Sequence, residues 1–138
     1  MARKVKTVTV GDTATSIPVT QEDSGTLFSI KVAGTAIAQL ALADNLEPGS
    51  EFDFVITEVG GTGSVNIGVS GNGFLRKGTG SYTSAALAQA ALSNIDNITS
   101  VAAKDTVGDR AKVTVVDSTS CIIEEYSTVA DAWINPGG

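Results

Sequence analysis

Carboxylates are the side chains of this sequence best suited to chemistry, and they gather in two places. Asp44, Glu47, Glu51 and Asp53 surround the dipeptide Pro48-Gly49, and Asp105, Asp109 and Asp117 punctuate later turns. Two carboxylates facing a substrate can divide acid and base roles, and several acids within a dozen residues can wrap calcium. The run Glu47-Pro48-Gly49-Ser50-Glu51-Phe52-Asp53 meets the calcium pattern only loosely. Aspartates at turns more commonly accept hydrogen bonds from nearby backbone N–H groups, and that is the reading adopted. The chain has no histidine, which removes the commonest general base and the usual neutral metal ligand. Cys121 is the single cysteine. It can form neither an intrachain disulfide nor a Cys–His pair, and within Ser118-Thr119-Ser120-Cys121-Ile122-Ile123 it reads as a small buried strand residue. No catalytic, cofactor-binding or metal-ligating residue is expected.

The glycine-rich run Gly71-Asn72-Gly73-Phe74-Leu75-Arg76-Lys77-Gly78-Thr79-Gly80 invites comparison with phosphate loops. A P-loop requires Gly-Lys-Ser/Thr opening a helix, whereas Lys77-Gly78-Thr79 reverses the first two residues and Gly80-Ser81-Tyr82 follows. Arg76 occupies the third glycine position of a dinucleotide fingerprint. The run is therefore read as a long exposed loop whose Phe74, Arg76, Lys77 and the nearby Tyr82 could touch a partner.

A net charge of −6 over 138 residues argues against a nucleic-acid footprint. Met1-Ala2-Arg3-Lys4-Val5-Lys6 has no apolar core of a signal peptide, and no apolar run approaches the roughly 20 residues of a membrane-spanning helix. Arg3, Lys4 and Lys6 have two readings. They are either edge-strand charges that discourage aggregation or a basic arm over residues 1–10 that grips an acidic partner.

Hydrophobic content is 42% and aromatic content 5%, with Val, Ile, Thr, Ala, Ser and Gly predominating, the mix of strands with small side chains between tight turns. Phe52, Phe54 and Ile56 alternate with Glu51, Asp53, Val55 and Thr57, as do Phe28, Ile30 and Val32 with Leu27, Ser29 and Lys31. Residues 37–57 read as a hairpin across Glu47-Pro48-Gly49-Ser50, where Pro48 and Gly49 suit a type II turn. Gly60-Gly61-Thr62-Gly63 suggests a second hairpin into Val65–Val69, and Asp117-Ser118-Thr119-Ser120 joins Arg110–Val116 to Cys121–Tyr126 as a third. Strands are also read at Lys4–Val10, at Ser16–Thr20 with Pro18 confining it to an edge or bulge, at Ile98–Ala102 and at Ala132–Ile134. The Ala- and Leu-rich residues 84–93 form the one convincing helix, capped by Thr83 or Ser84. The expectation is a mainly β protein, an antiparallel β-sandwich or barrel of jelly-roll type with one short α-helix, spanning 1–138 as a single domain.

Three stretches carry a resemblance. They are Leu40–Ala43 leading through Glu47-Pro48-Gly49 to Phe52-Asp53-Phe54-Val55-Ile56, the loop and helix in the middle, and Gly108-Asp109-Arg110-Ala111-Lys112-Val113-Thr114-Val115 closing on Cys121-Ile122-Ile123-Glu124. Their order resembles small β-rich appendage modules of tailed-bacteriophage virions: capsid decoration (cement) proteins, head fibres and tail fibres. Ala41 stands where the pattern usually has proline, and Cys121 where it often has tryptophan. The resemblance implies a non-enzymatic virion protein without cofactors. Such a protein is made in the host cytoplasm and binds the major capsid protein on the outer capsid surface, as a homotrimer. The alternative is a fibre domain that binds a host receptor or glycan through exposed aromatics such as Phe74, Tyr82, Tyr126 and Trp133.

Overall fold

Among the described residues eleven strands form, the longer ones on apolar residues at every second position, and the glycine-bearing turns between them help decide which strands meet. The computed structural model describes residues 2–43, 45–69, 75–80, 97–102, 104–117, 120–127 and 133–134. The strands are β1 (Val5–Val10), β2 (Thr15–Val19), β3 (Leu27–Val32), β4 (Ile37–Leu42), β5 (Glu51–Val59), β6 (Ser64–Val69), β7 (Leu75–Gly80), β8 (Asn97–Ser100), β9 (Arg110–Asp117), β10 (Ser120–Tyr126) and β11 (Trp133–Ile134). They form two sheets, ordered β1-β3-β5-β9-β10-β7 and β11-β8-β6-β4-β2. The mainly β, sandwich-like class read from the sequence holds. The helix expected at 84–93 lies outside the described residues, as do Phe74 and Tyr82.

The antiparallel pairing does not hold. Among the described strands five ladders are parallel and four antiparallel. The first six strands alternate between the sheets, so β1 lies beside β3 and β3 beside β5, while β2, β4 and β6 stack likewise opposite them. The chain therefore winds as a parallel coil through β1–β2, β3–β4 and β5–β6. The hairpins expected at 37–57 and at 51–69 are both corrected, since β4 and β5, like β5 and β6, belong to different sheets. The third hairpin, β9 with β10, is formed, with a register shift at Ser120/Cys121.

One corner of the coil shows why. Val10 O accepts from the N–H groups of Ala33 and Gly34 at 3.0 and 2.7 Å, and Val32 O accepts from Gly60 and Gly61 at 2.7 and 2.9 Å. The same turn is thus laid twice upon its predecessor. Close approach requires glycine there: a Cβ on Gly34 would lie 2.2 Å from the carbonyl carbon of Gly11, and one on Gly61 would lie 2.1 Å from Gly34 O. Asp12 Oδ1 fastens the first step, accepting from the Thr35 N–H at 3.1 Å and its hydroxyl at 3.2 Å.

The proline–glycine turn forms where it was read, with Gly49 at φ +89° and Ser50 N–H donating to Glu47 O at 3.1 Å. Rather than folding β5 back on β4, it docks sideways on the end of β9. Gly49 N–H donates to Val115 O at 2.8 Å, and Val115 N–H to Ser50 O at 2.9 Å.

The core lies between the sheets. Phe28, Ile30, Val32, Phe52, Phe54, Ile56, Ala111, Val113, Val115, Cys121 and Ile123 face Val19, Leu40, Leu42, Val65, Ile67 and Ile98. Phe28 and Phe54 are register neighbours on β3 and β5 and stack with centroids 5.0 Å apart. Each buried phenylalanine contributes about 1.5–3 kcal/mol relative to exposure. Among the described residues no helix is long and apolar enough to cross a membrane.

Candidate functional site: a charge-locked sheet edge

Strand pairing sets Val5, Leu27, Asp53, Lys112 and Glu124 in one row across the outer face of the first sheet, and Thr7, Ser29, Val55, Arg110 and Tyr126 in the next. A buried aspartate on a central strand of such a row calls for cations beside it. Asp53 has them. Arg3 Nη1 lies 2.8 Å from its Oδ2, and Arg110 Nη2 lies 3.3 Å from its Oδ1. The two guanidiniums cover the carboxylate, leaving its side chain only 6% exposed. Arg3 also donates through Nε to Gly25 O at 3.0 Å, so it spans β3 from the chain start to β5. Beside this cluster Lys112 Nζ stands 3.7 Å from Glu51 Oε1. The Tyr126 hydroxyl donates to Glu124 Oε2 at 2.5 Å. That bond to a carboxylate, together with burial and the Glu124 charge, raises the phenol above its ordinary value.

Lys6 points to the other side of β1, where its Nζ meets Asp23 Oδ1 at 2.5 Å. Asp23 ends the single 3-10 turn among the described residues, Gln21–Asp23. Its Oδ2 accepts the Thr20 N–H at 2.9 Å, and its own N–H donates to Thr20 O at 2.9 Å. Burial alone would push this carboxyl up. The Lys6 hydrogen bond, the Thr20 N–H, the Lys6 charge and the Thr20 hydroxyl outweigh it, and Asp23 stays below the ordinary range.

Of the residues expected to bind a partner, those that are described fall into two separate groups. Arg3 and Lys6 pair with acids of their own chain, and residues 5–10 form a strand at the edge of the first sheet. Lys4 is exposed and has no ion pair among the described residues. Arg76 and Lys77 lie in β7, a strand rather than the exposed loop expected, at the opposite edge of the same sheet. With strands about 4.8 Å apart, five steps separate the two edges by about 24 Å.

The other acids behave as turn residues. Asp109 accepts from the Thr106 N–H at 2.8 Å, the Thr106 hydroxyl at 2.9 Å and the Ser127 hydroxyl at 2.6 Å. Asp105 differs: it is buried with neither carboxylate oxygen hydrogen-bonded among the described residues. Burial raises its carboxyl above the ordinary value, its own N–H opposes this, and the Asp109 charge adds to it. Among the described residues no group of three acids or thiols is placed to hold a metal ion. Cys121 is buried on β10. The sequence reading missed Asp23 and Arg110 as members of the charged cluster. The signal for Asp53 was its place between Phe52 and Phe54, since an acid flanked by two core phenylalanines on a central strand calls for a cation above it.

No family model, curated protein or solved structure matches the chain.

Proposed function

We propose that this chain is a non-enzymatic virion structural protein, a decoration or cement protein that binds the outer surface of a bacteriophage capsid and stabilises it. The observation that carries the reading beyond the sequence resemblance is the use made of the charged groups. Asp53, Asp23 and Asp109 are each occupied in tying one strand or turn to another, as suits a rigid module that works by surface contact. In this reading the partner is the major capsid protein, the assembled form is a homotrimer, and the capsid surface is reached after synthesis in the host cytoplasm. A glycan- or receptor-binding fibre domain has less support. Trp133 is 1% exposed, so it is not free to stack on a sugar.

The test is the solution mass by light scattering, followed by co-sedimentation with empty capsids. A trimer that sediments with capsids and raises their heat stability is expected. A monomer that stays in the supernatant overturns the proposal.

A further inference from the structure

Among the described residues the parallel coil starts on two unpaired edges, β1 of one sheet and β2 of the other, and only one of them is fit to receive another strand. In β2 the carbonyl of Val19 accepts from Ala43 N–H, so Thr15, Ile17 and Val19 turn their backbone groups to β4. Ser16 and Pro18 face outward, and Pro18 has no N–H to offer. In β1 the carbonyls of Lys4 and Val10 accept from Leu27 and from Ala33 and Gly34. The even positions thus face β3, and Val5, Thr7 and Thr9 turn both N–H and C=O outward. The β1 ladder runs from Val5 to Val10 with no register shift, and Val5 is 56% exposed.

We infer that β1 is a strand-addition site for an extended, acidic peptide segment of a partner protein. Its main chain pairs with Val5, Thr7 and Thr9, and its carboxylates meet Lys4 and Lys31. Residues 2–10 hold three cations and no acid in a chain of net charge −6. Arg3 and Lys6 are neutralised by Asp53 and Asp23, whereas Lys4 and Lys31 are exposed and make no ion pair among the described residues. Lys31 is the register neighbour of Thr9. Glu58, its neighbour on β5, lies on the side of β3 away from the edge. Screening over about 8 Å at physiological salt hides the chain's distant acids from a segment bound at this edge, while Glu58, one strand further in, offsets part of the Lys31 charge and leaves Lys4 the stronger contact.

A second copy of this chain suits the edge less well. One short edge-to-edge ladder buries far less than the roughly 1,200 Å² of a stable protein interface, and two copies carry like net charge. Main-chain pairing is how short extended segments gain affinity. The inference rests on the edge geometry and not on the capsid reading, so either can fail alone.

The experiment titrates the full chain, isotopically labelled, with a short capped peptide of alternating Thr and Val bearing Glu at both ends, and reads amide chemical shifts. The expected result is saturable shifts at Val5, Thr7 and Thr9, absent with the same peptide bearing Lys at its ends. Thr7→Pro removes one outward N–H without breaking the β1–β3 ladder, and abolishes binding. Lys4→Glu, which touches no backbone bond and keeps the test decisive if Thr7→Pro does not fold, weakens binding about three- to fivefold, the scale of one exposed charge pair. Three results overturn the inference: no shifts at millimolar peptide, equal binding of the Lys-ended peptide, or a chain dimer by light scattering that Thr7→Pro dissolves.

Discussion

Arg3 and Asp53 meet at 2.8 Å across an intervening strand, so the chain start is bolted to β5 over the top of β3. The contact is separate from the β1 ladder and reinforces it. An exposed surface pair contributes little, but this carboxylate is buried, and Arg110 grips its other oxygen.

Replacing Asp53 by Ala frees both guanidiniums to solvent and removes the bolt. A loss of about 1.5–3 kcal/mol is expected, the scale of hydrogen bonds to a charged group. Hydrogen exchange locates it: amide protection in β1 falls more than in β9, whereas uniform loss over all strands contradicts the role given to Arg3.

Asp23 sets the acid limit of the fold. Its carboxyl titrates below the ordinary value of 3.8 in the folded protein, so the unfolded chain takes up its proton first as pH falls. The stabilisation is complete above 3.8 and is lost as pH drops through and below it. Lys6→Met leaves Asp23 with its Thr20 bonds only and should flatten this part of the stability–pH curve. Denaturant midpoints at a series of acidic pH values measure it, and an unchanged slope rules out the Lys6–Asp23 contact as its source.

Asp105 works with the opposite sign. Its carboxyl is raised in the folded state, so the folded protein holds the proton more tightly. Stability therefore declines as pH rises from 3.8 through the folded value. Asp105→Asn is expected to stabilise the protein at neutral pH by about 1 kcal/mol, the low end of the cost of an unsatisfied buried polar group. The gain shrinks towards zero in acid. A variant less stable at pH 7 means that the Asp105 carboxylate has a partner in the folded protein.

Glycines at the coil corner are predicted to differ sharply. Gly34→Ala places a methyl 2.2 Å from the backbone of Gly11 and should cost about 1–3 kcal/mol or more, as overpacking does. Gly11→Ala meets no atom within 4 Å and should be nearly neutral. Thermal melts of the two variants decide between a required close approach and a merely flexible turn.

Much of the fold can be read from periodicity because a side-chain period of two reports which face of a strand is buried. Phe28, Ile30 and Val32, Phe52, Phe54 and Ile56, and Ala111, Val113 and Val115 are all buried as the alternation predicts. Periodicity is silent about partners, so β4 and β5 read as a hairpin although each pairs elsewhere. A stronger signal was present. Gly11, Gly34 and Gly61 are each followed six and eight residues later by apolar pairs: Ile17 and Val19, Leu40 and Leu42, Ile67 and Val69. That recurrence marks the stacked coil. It is easily missed because each copy is short and the spacing between copies changes. At the candidate site the cations Arg3, Lys4 and Lys6 were legible. Their acids were not, because only the coil brings residues 23 and 53 beside the chain start.

The stacked coil also dictates an order of assembly. Strand β1 has no partner until β3 exists, and β3 has no second neighbour until β5 has been made. By contrast, β9 and β10 are joined by a short turn and can meet at once. Non-local parallel pairing is slow because loop closure precedes any reward. A nascent chain that has emerged only as far as residue 42 is therefore a half-built sandwich with an exposed apolar lining. Its cover is completed only when β5, β6 and the later strands add to both sheets, and until then the newborn protein depends on whatever shields that lining in the cell.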